Sequence, residues 1–391
     1  MADADAKLST RLVHLPSRHG IGRAGPGLAP AIERSTTFAL SPEGSEAMVS
    51  GEGRGDLDIY GRYGTTTSRE AAALIAELEG ADAGLMFSSG MGAISAAFFA
   101  LVPPGSTVAV SRDVYGGTEA VASEDLPARG IRVARFDASD PSTLQALVDG
   151  GMSPVLVWCE SISNPLLKVS DLAGLADICR TIGAKLVVDG TFSAGIATQP
   201  LALGADVVVH SATKYIGGHS DVIAGCAVGG RGEIEAMYDV MVRHGSCIDP
   251  FGAWLVARGI RTLPLRFEKQ SQTAAELARR LRELPGVERV NYPETGTRDA
   301  GALRLGGGVL SFELRNGAAA QAFVDGVRVC THAVSLGGVE TLVGLPRKSS
   351  HTGRTAAYWD GVGIREGLVR VAVGLEDVDD LWADFAGISV D

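Results

Sequence analysis

The amino-acid sequence predicts an α/β protein with a mostly parallel sheet in a large domain, followed by a smaller C-terminal α+β domain. Three observations carry this. Short apolar runs bounded by turn residues recur as GLMF at 84–87, TVAV at 107–110, VLVW at 155–158, KLVV at 185–188 and VVVH at 207–210. Amphipathic helical segments alternate with them, and continuous Val/Leu runs of this kind belong to parallel strands covered on both faces. Near Trp254 that regularity ends, and the remainder of the chain alternates strands and helices in a different order.

Taken in chain order, residues 1 to about 60 lack sustained periodicity and include the loop-like SGEGRGD, so they read as an extended arm. Gly20, Gly22 and Gly25 match GxGxxG, but SRH precedes them and Pro26-Gly27 follows. A dinucleotide site needs a strand before and a helix after, so this segment reads as arm. From Thr65 the texture changes. Thr67 and Glu70 form a capping-box pattern, and Leu74, Ile75 and Leu78 give one apolar face ending at Gly80. A second clear helix has Ser170 as its N-cap, buries Leu172, Leu175, Ile178 and Ile182, and stops at Gly183. After Trp254 the pattern is that of a long helix begun or interrupted around Pro264. Leu277, Leu281 and Leu284 share a face of it, and Pro285-Gly286 ends it. The expected organisation is an arm over 1–64, a large domain over 65–255 and a small domain over 256–391.

Bulk properties narrow the function. The chain has 391 residues and a formal charge of −11, with no basic patch among its 35 Lys and Arg, which argues against nucleic-acid or anionic-membrane surfaces. The 5 cysteines are scattered without a CxxC pair, the mark of reduced thiols rather than a disulfide framework or zinc site. MADADAKLST has no apolar core of a signal peptide, and no apolar run reaches membrane-spanning length, so a cytoplasmic protein is expected.

Open α/β sheets bind ligands beyond the carboxyl ends of their strands, so the residues after each apolar run are the ones to read for chemistry. SSGMGA follows GLMF and opens an apolar helix. The backbone N–H groups of Gly90 and Met91, with the Ser88 and Ser89 hydroxyls, suit a phosphate there, although glycine also serves close packing. In SATKYIGGHSD, Lys214 follows a buried Val run. Burial is expensive for a lysine, and it lowers the pKa of an amine that must condense with an aldehyde. Ser211 and Thr213 flank it with hydroxyls suited to more phosphate contacts. Asp189 in KLVVDGTF ends another interior strand and needs a cationic or hydrogen-bonding partner. A protonated pyridine nitrogen is one candidate, a protein salt bridge or helix cap another. Tyr115 in SRDVYGGT could stack on a ring or simply fill core. ESISNP contributes Glu160 and Asn164, whose amide suits a ring hydroxyl but also ordinary Asn-Pro turn chemistry. Arg370, inside LVRVAVGLED, needs an anion: a substrate carboxylate, or an acid of the chain itself.

Together these residues resemble a known family. VVVHSATKYIGGHSDVIAG looks like the lysine signature of the Cys/Met-metabolism pyridoxal 5′-phosphate (PLP) enzymes, which include cystathionine synthases and lyases and methionine gamma-lyase. YGRYGTTTSRE, SSGMGA, YGGT, ESISNP, VVDGTF, LRFEKQSQTA, SLGGVETL and RVAVGLED bring the blocks in the family's order to 9, from about Thr36 to the C-terminus. The resemblance implies the aspartate-aminotransferase-like fold (fold type I) and a homotetramer built from two active dimers. It implies that Lys214 carries PLP as a Schiff base and later moves protons. Asp189 pairs with the ring nitrogen, Tyr115 stacks on the ring and Asn164 bonds its hydroxyl. By the same resemblance Ser89, Gly90, Met91, Ser211 and Thr213 hold the phosphate, joined by Tyr60 and Arg62 from a neighbouring subunit. Ser335 and Arg370 position the substrate carboxylate.

For the reaction, Val334 is the informative residue. Cystathionine-handling members often carry an acidic or tyrosyl side chain just before the serine, whereas an apolar one suits a short thioether such as methionine. Methionine gamma-lyases differ from this chain in having cysteine at the position of Gly117, a Lys-Asp pair at Met241 and Val242, and another loop at 346–352. The expected activity is alpha,gamma-elimination on L-methionine or a close analogue, giving a thiol, ammonia and a 2-oxo acid, with Tyr115 a candidate acid for the leaving sulfur. The alternative is gamma-replacement or elimination on cystathionine or an O-acyl-homoserine. A nucleotide-binding oxidoreductase fails on the misplaced glycines, and a non-catalytic protein of this fold is disfavoured by intact Lys214, Asp189, Tyr115 and Arg370.

Overall fold

Two sheets organise the chain. The computed structural model describes residues 7–14, 28–51, 53, 55–293, 295, 303–349, 359 and 361–388. Gly20, Gly22, Gly25 and the end of the 346–352 loop lie outside the described residues.

The first sheet holds β1 (Ala83–Phe87), β2 (Thr107–Ser111), β3 (Arg132–Phe136), β4 (Leu156–Glu160), β5 (Lys185–Asp189), β6 (Val207–His210) and β7 (Gly225–Gly229), in the order β1-β7-β6-β5-β4-β2-β3. β3, β2, β4, β5 and β6 are mutually parallel, while β7 runs antiparallel between β6 and β1. β2, β4, β6 and β7 are buried at every residue, as continuous apolar runs covered by helices require. The second sheet holds β8 (Val287–Asn291), β9 (Val309–Leu314), β10 (Thr331–His332), β11 (Leu342–Gly344) and β12 (Leu368–Ala372), in the order β10-β11-β12-β9-β8. This is the α/β frame expected from the sequence, with a large, mostly parallel sheet and a smaller, mainly antiparallel one.

The local signals differ from expectation at three helix starts. The helix Thr66–Glu79 is capped by Thr65, whose hydroxyl accepts from Ser68 N at 3.3 Å, and Ser68 answers as the box partner. The TTTS stretch offers several capping residues, and Thr67 instead accepts from Glu33 N at 2.8 Å. The helix Leu172–Ile182 is capped by Asp171, which accepts from Gly174 N at 3.0 Å, because Ser170 donates to the Glu160 carbonyl at 2.6 Å. Within the expected arm, Ser41 caps a helix Pro42–Ser50 that ends on left-handed Gly51.

The helix Leu263–Leu281 links the two sheets. Pro264 sits in its first turn, where a missing N–H costs nothing. Leu263 and Phe267 enter the core around Tyr215 and Ile216, whereas Ala274, Leu277, Ala278 and Leu281 enter the core of the second sheet.

Candidate active site

The sheet geometry brings the chemistry to one edge. β1, β2, β4, β5 and β6 point the same way, so the segments after them converge at their carboxyl ends. Glu160 and Asp189 end neighbouring strands and are direct register partners. Both are buried.

Lys214 lies in the segment between β6 and β7, held by backbone bonds from its N–H to Ser211 O at 3.1 Å and from Gly218 N to its carbonyl at 2.8 Å. Its Nζ donates to Ser335 Oγ at 2.7 Å. Burial, and then the Arg370 charge, lower its pKa to about 8, so the free amine is populated near neutrality. Arg266 supports this segment from behind: its buried guanidinium donates to Tyr215 O and Gly259 O, both at 2.8 Å.

Arg370 crosses from β12 of the second sheet. It donates to Asn164 Oδ1 at 3.2 Å and to Ser335 O at 2.8 Å. Burial lowers its pKa to about 10, and among the described residues no carboxylate pairs with it. A buried guanidinium whose partners among the described residues are neutral keeps charge with which an anion could pair. Ser335 between the two cations has φ 96°, a left-handed conformation rare for a residue with a side chain. Val334 beside it is 65% exposed.

Asp189 accepts from Thr191 N at 2.9 Å, and Thr191 Oγ1 in turn accepts from Ser211 N at 2.8 Å. Burial pushes the Asp189 pKa up, opposed by the Thr191 bonds and then by the nearby His210. Glu160 is driven well above the usual carboxylate range by burial and then by Asp189, and its carboxyl receives the N–H of Tyr115. Tyr115 is 42% exposed. Gly117 permits this placement, since a Cβ there would lie 2.6 Å from Tyr115 Cε1 and 2.5 Å from Met91 Sδ.

The helix Gly90–Leu101 starts at the same edge, with Ser89 as N-cap accepting from Gly92 N at 3.0 Å. A Cβ on Gly90 would lie 2.8 Å from Ser211 Cβ, so only glycine lets this helix start meet the lysine segment. Thr213 exchanges bonds with Ala224, accepting from its N–H at 3.0 Å and donating to its carbonyl at 3.1 Å. Tyr60 and Arg62 have other neighbours: Tyr60 bridges to Thr37, and Arg62 donates to Val242 O at 2.8 Å and packs on the Tyr60 and Tyr63 rings.

These residues fit PLP on three structural grounds. The lysine has a depressed pKa, a buried carboxylate waits 25 residues before it, and a glycine-lined helix N-terminus meets Ser211 where a phosphate would sit. Sequence reasoning missed Thr191 and Arg266 as parts of this assembly. Thr191 was within reach, two residues after Asp189 in DGTF, but Arg266 acts across the fold with no spacing to mark it.

The frame is widely shared. The chain is 36% identical over 389 residues to the L-methionine gamma-lyase of Pseudomonas putida, covering 96% of this chain and 95% of that protein. It is 38% identical over 331 residues to a cystathionine gamma-lyase of Bacillus subtilis, covering 83% and 86%. The crystal structure of cystathionine gamma synthase from Xanthomonas oryzae pv. oryzae in complex with cystathionine superposes with a TM-score of 0.89 at 34% identity, covering 97% of each chain. The family model described as Cys/Met metabolism PLP-dependent enzyme matches residues 9–388. That match takes in both sheets and every residue around Lys214, and the chain belongs to the Cys/Met-metabolism PLP-dependent enzymes.

Proposed function

We propose that the protein catalyses alpha,gamma-elimination on L-methionine or a close analogue, in which water is consumed and methanethiol, ammonia and 2-oxobutanoate are released. The observation that carries this reading is Val334, an exposed apolar side chain adjoining the serine that meets Lys214. A short thioether needs an apolar wall there, whereas cystathionine brings a second charged amino-acid end. The identity to the methionine gamma-lyase of Pseudomonas putida along 96% of the chain supports it.

Bound PLP supplies an electron sink for the pair left when the substrate loses its alpha proton. The chain's own residues supply the rest. Lys214 Nζ takes and returns the proton, near neutral pH because its pKa is lowered. Asp189 stabilises a cation at the ring nitrogen, and Arg370 with Ser335 holds the substrate carboxylate. Asn164, which accepts from Arg370, bonds the ring hydroxyl. Tyr115 covers the ring and gives a proton to the departing sulfur. Gly90 and Met91 N–H groups, with Ser89, Ser211 and Thr213, hold the phosphate. In the tetramer that belongs to this reading, Tyr60 and Arg62 act in a neighbouring subunit. The cytoplasmic location proposed with it draws on the 5 free cysteines.

A second reading is gamma-replacement or elimination on cystathionine or an O-acyl-homoserine. Gly117 favours it, because Met91 and Tyr115 fill the space that a cysteine side chain would need. Parallel assays with methionine, cystathionine, and O-acyl-homoserine plus cysteine separate the two. Methanethiol and 2-oxobutanoate from methionine are expected. Turnover of cystathionine without any methanethiol from methionine would select the second reading.

A further inference from the structure

Glu160 is a buried acid with no part in the chemistry described so far. It ends β4 beside Asp189, and as register partners on parallel strands the two side chains leave the same face of the sheet. Its backbone is well anchored. The Glu160 carbonyl accepts from Ser170 Oγ at 2.6 Å, and the N–H of the next residue, Ser161, donates to Asp189 O at 2.9 Å. A buried carboxyl at such an edge needs donors, and Glu160 finds two of them in the backbone of the site itself.

The first donor is the N–H of Tyr115, which bonds Glu160 Oε1 across 45 positions of sequence. Tyr115 precedes the helix Gly116–Ala120, only 5 residues long, and no side chain caps that start. Two glycines follow it, so the turn alone would hold the tyrosine loosely. The second donor is the N–H of Asn164, four residues beyond Glu160, which reaches the same carboxyl. The Asn164 side chain is fixed separately, its Oδ1 accepting from Arg370 at 3.2 Å. Burial, and then Asp189, disfavour a second negative charge at this edge. What Glu160 offers there is therefore an acceptor rather than a charge.

We propose that Glu160 is a positioning residue: its carboxyl clamps the N–H groups of Tyr115 and Asn164 and so fixes both residues against bound PLP. It acts on the cofactor only through those two backbones, while its neighbour Asp189 keeps the separate task at the ring nitrogen. One buried side chain thereby sets the residue on the ring face and the residue at the ring hydroxyl together. The proposal rests on the reading of Tyr115 and Asn164 as PLP contacts.

The test compares wild type with Glu160→Gln, which keeps a carbonyl acceptor, and with Glu160→Leu, which has none. It reads the PLP dissociation constant and the circular dichroism band of bound PLP, with thermal unfolding of the PLP-free proteins to check the fold. Glu160→Leu is expected to weaken PLP binding by roughly tenfold, the scale of one hydrogen bond, and to shrink the dichroism band. Glu160→Gln should recover most of both. Unchanged affinity and dichroism in Glu160→Leu, or equal losses in the two variants, would overturn the proposal. If Glu160→Leu does not fold, amide hydrogen exchange of the wild-type protein decides, read residue by residue. The N–H groups of Tyr115 and Asn164 must exchange slowly, and exchange at the free-peptide rate refutes the clamp. The two failures are distinct: a wild-type protein that takes up no PLP removes the cofactor reading and the proposal with it, whereas one that binds PLP as tightly as Glu160→Leu removes the proposal alone.

Discussion

Lys214 shows how a single side chain is prepared for its chemistry by what surrounds it. Its folded pKa of about 8 lies below that of a free lysine, so folding opposes its protonation. The resulting destabilisation is fully present below about pH 8 and is relieved as the pH rises toward the value of the free amine. The neutral amine therefore prevails above that point. Uptake of PLP by the stripped protein is expected to quicken with pH around a midpoint near 8, and Arg370→Gln should move the midpoint upward by removing a neighbouring cation. A wild-type midpoint near the ordinary lysine value would contradict a pKa set by burial. Lys214, Asp189 and Arg370 were legible in the sequence because each is an expensive residue in an apolar run. Their mutual geometry was not, since Arg370 arrives from the other sheet to reach Asn164 and the Ser335 that meets Lys214.

Elements were legible where burial leaves a pattern. The five apolar runs all became strands, because a strand covered on both faces must be apolar throughout. β7 escaped because GCAVG is small and glycine-rich, the composition that its close approaches demand. A Cβ on Gly225 would lie 2.1 Å from Ser89 O, so this strand doubles as the floor beneath the helix Gly90–Leu101. Helix caps were legible as residue types but not as positions, since TTTS and SD each contain more than one hydroxyl or carboxylate able to serve. The meeting of this helix with the lysine segment can be tested directly. Gly90→Ala should force the two apart, overpacking that costs roughly 1–3 kcal/mol and weakens PLP binding by about ten- to a hundredfold. Equilibrium titration with PLP, alongside circular dichroism to confirm the fold, measures it. Undiminished affinity would show that the helix start does not contact the cofactor.

At the scale of the whole molecule, the site exists because two sheets are held in one relation. Asp189 ends a strand of the first sheet, Lys214 and Asn164 lie in segments that leave it, and Arg370 belongs to the second, joined through Ser335 and through Ser311 Oγ donating to Pro165 O at 2.8 Å. Phe267 anchors the connecting helix, fully buried and edge-on to Tyr215 at 4.9 Å between ring centroids. Phe267→Ala is expected to destabilise the fold by about 3–5 kcal/mol, read by denaturant unfolding. A loss within the range of ordinary surface changes would mean that the helix is not what ties the sheets together. Lys214 is the residue proposed to hold the cofactor. Borohydride reduction of the PLP-loaded protein, followed by proteolysis and mass spectrometry, should place the phosphopyridoxyl group on the peptide containing Lys214. A label on another lysine, or PLP still covalently bound in Lys214→Ala, would contradict it.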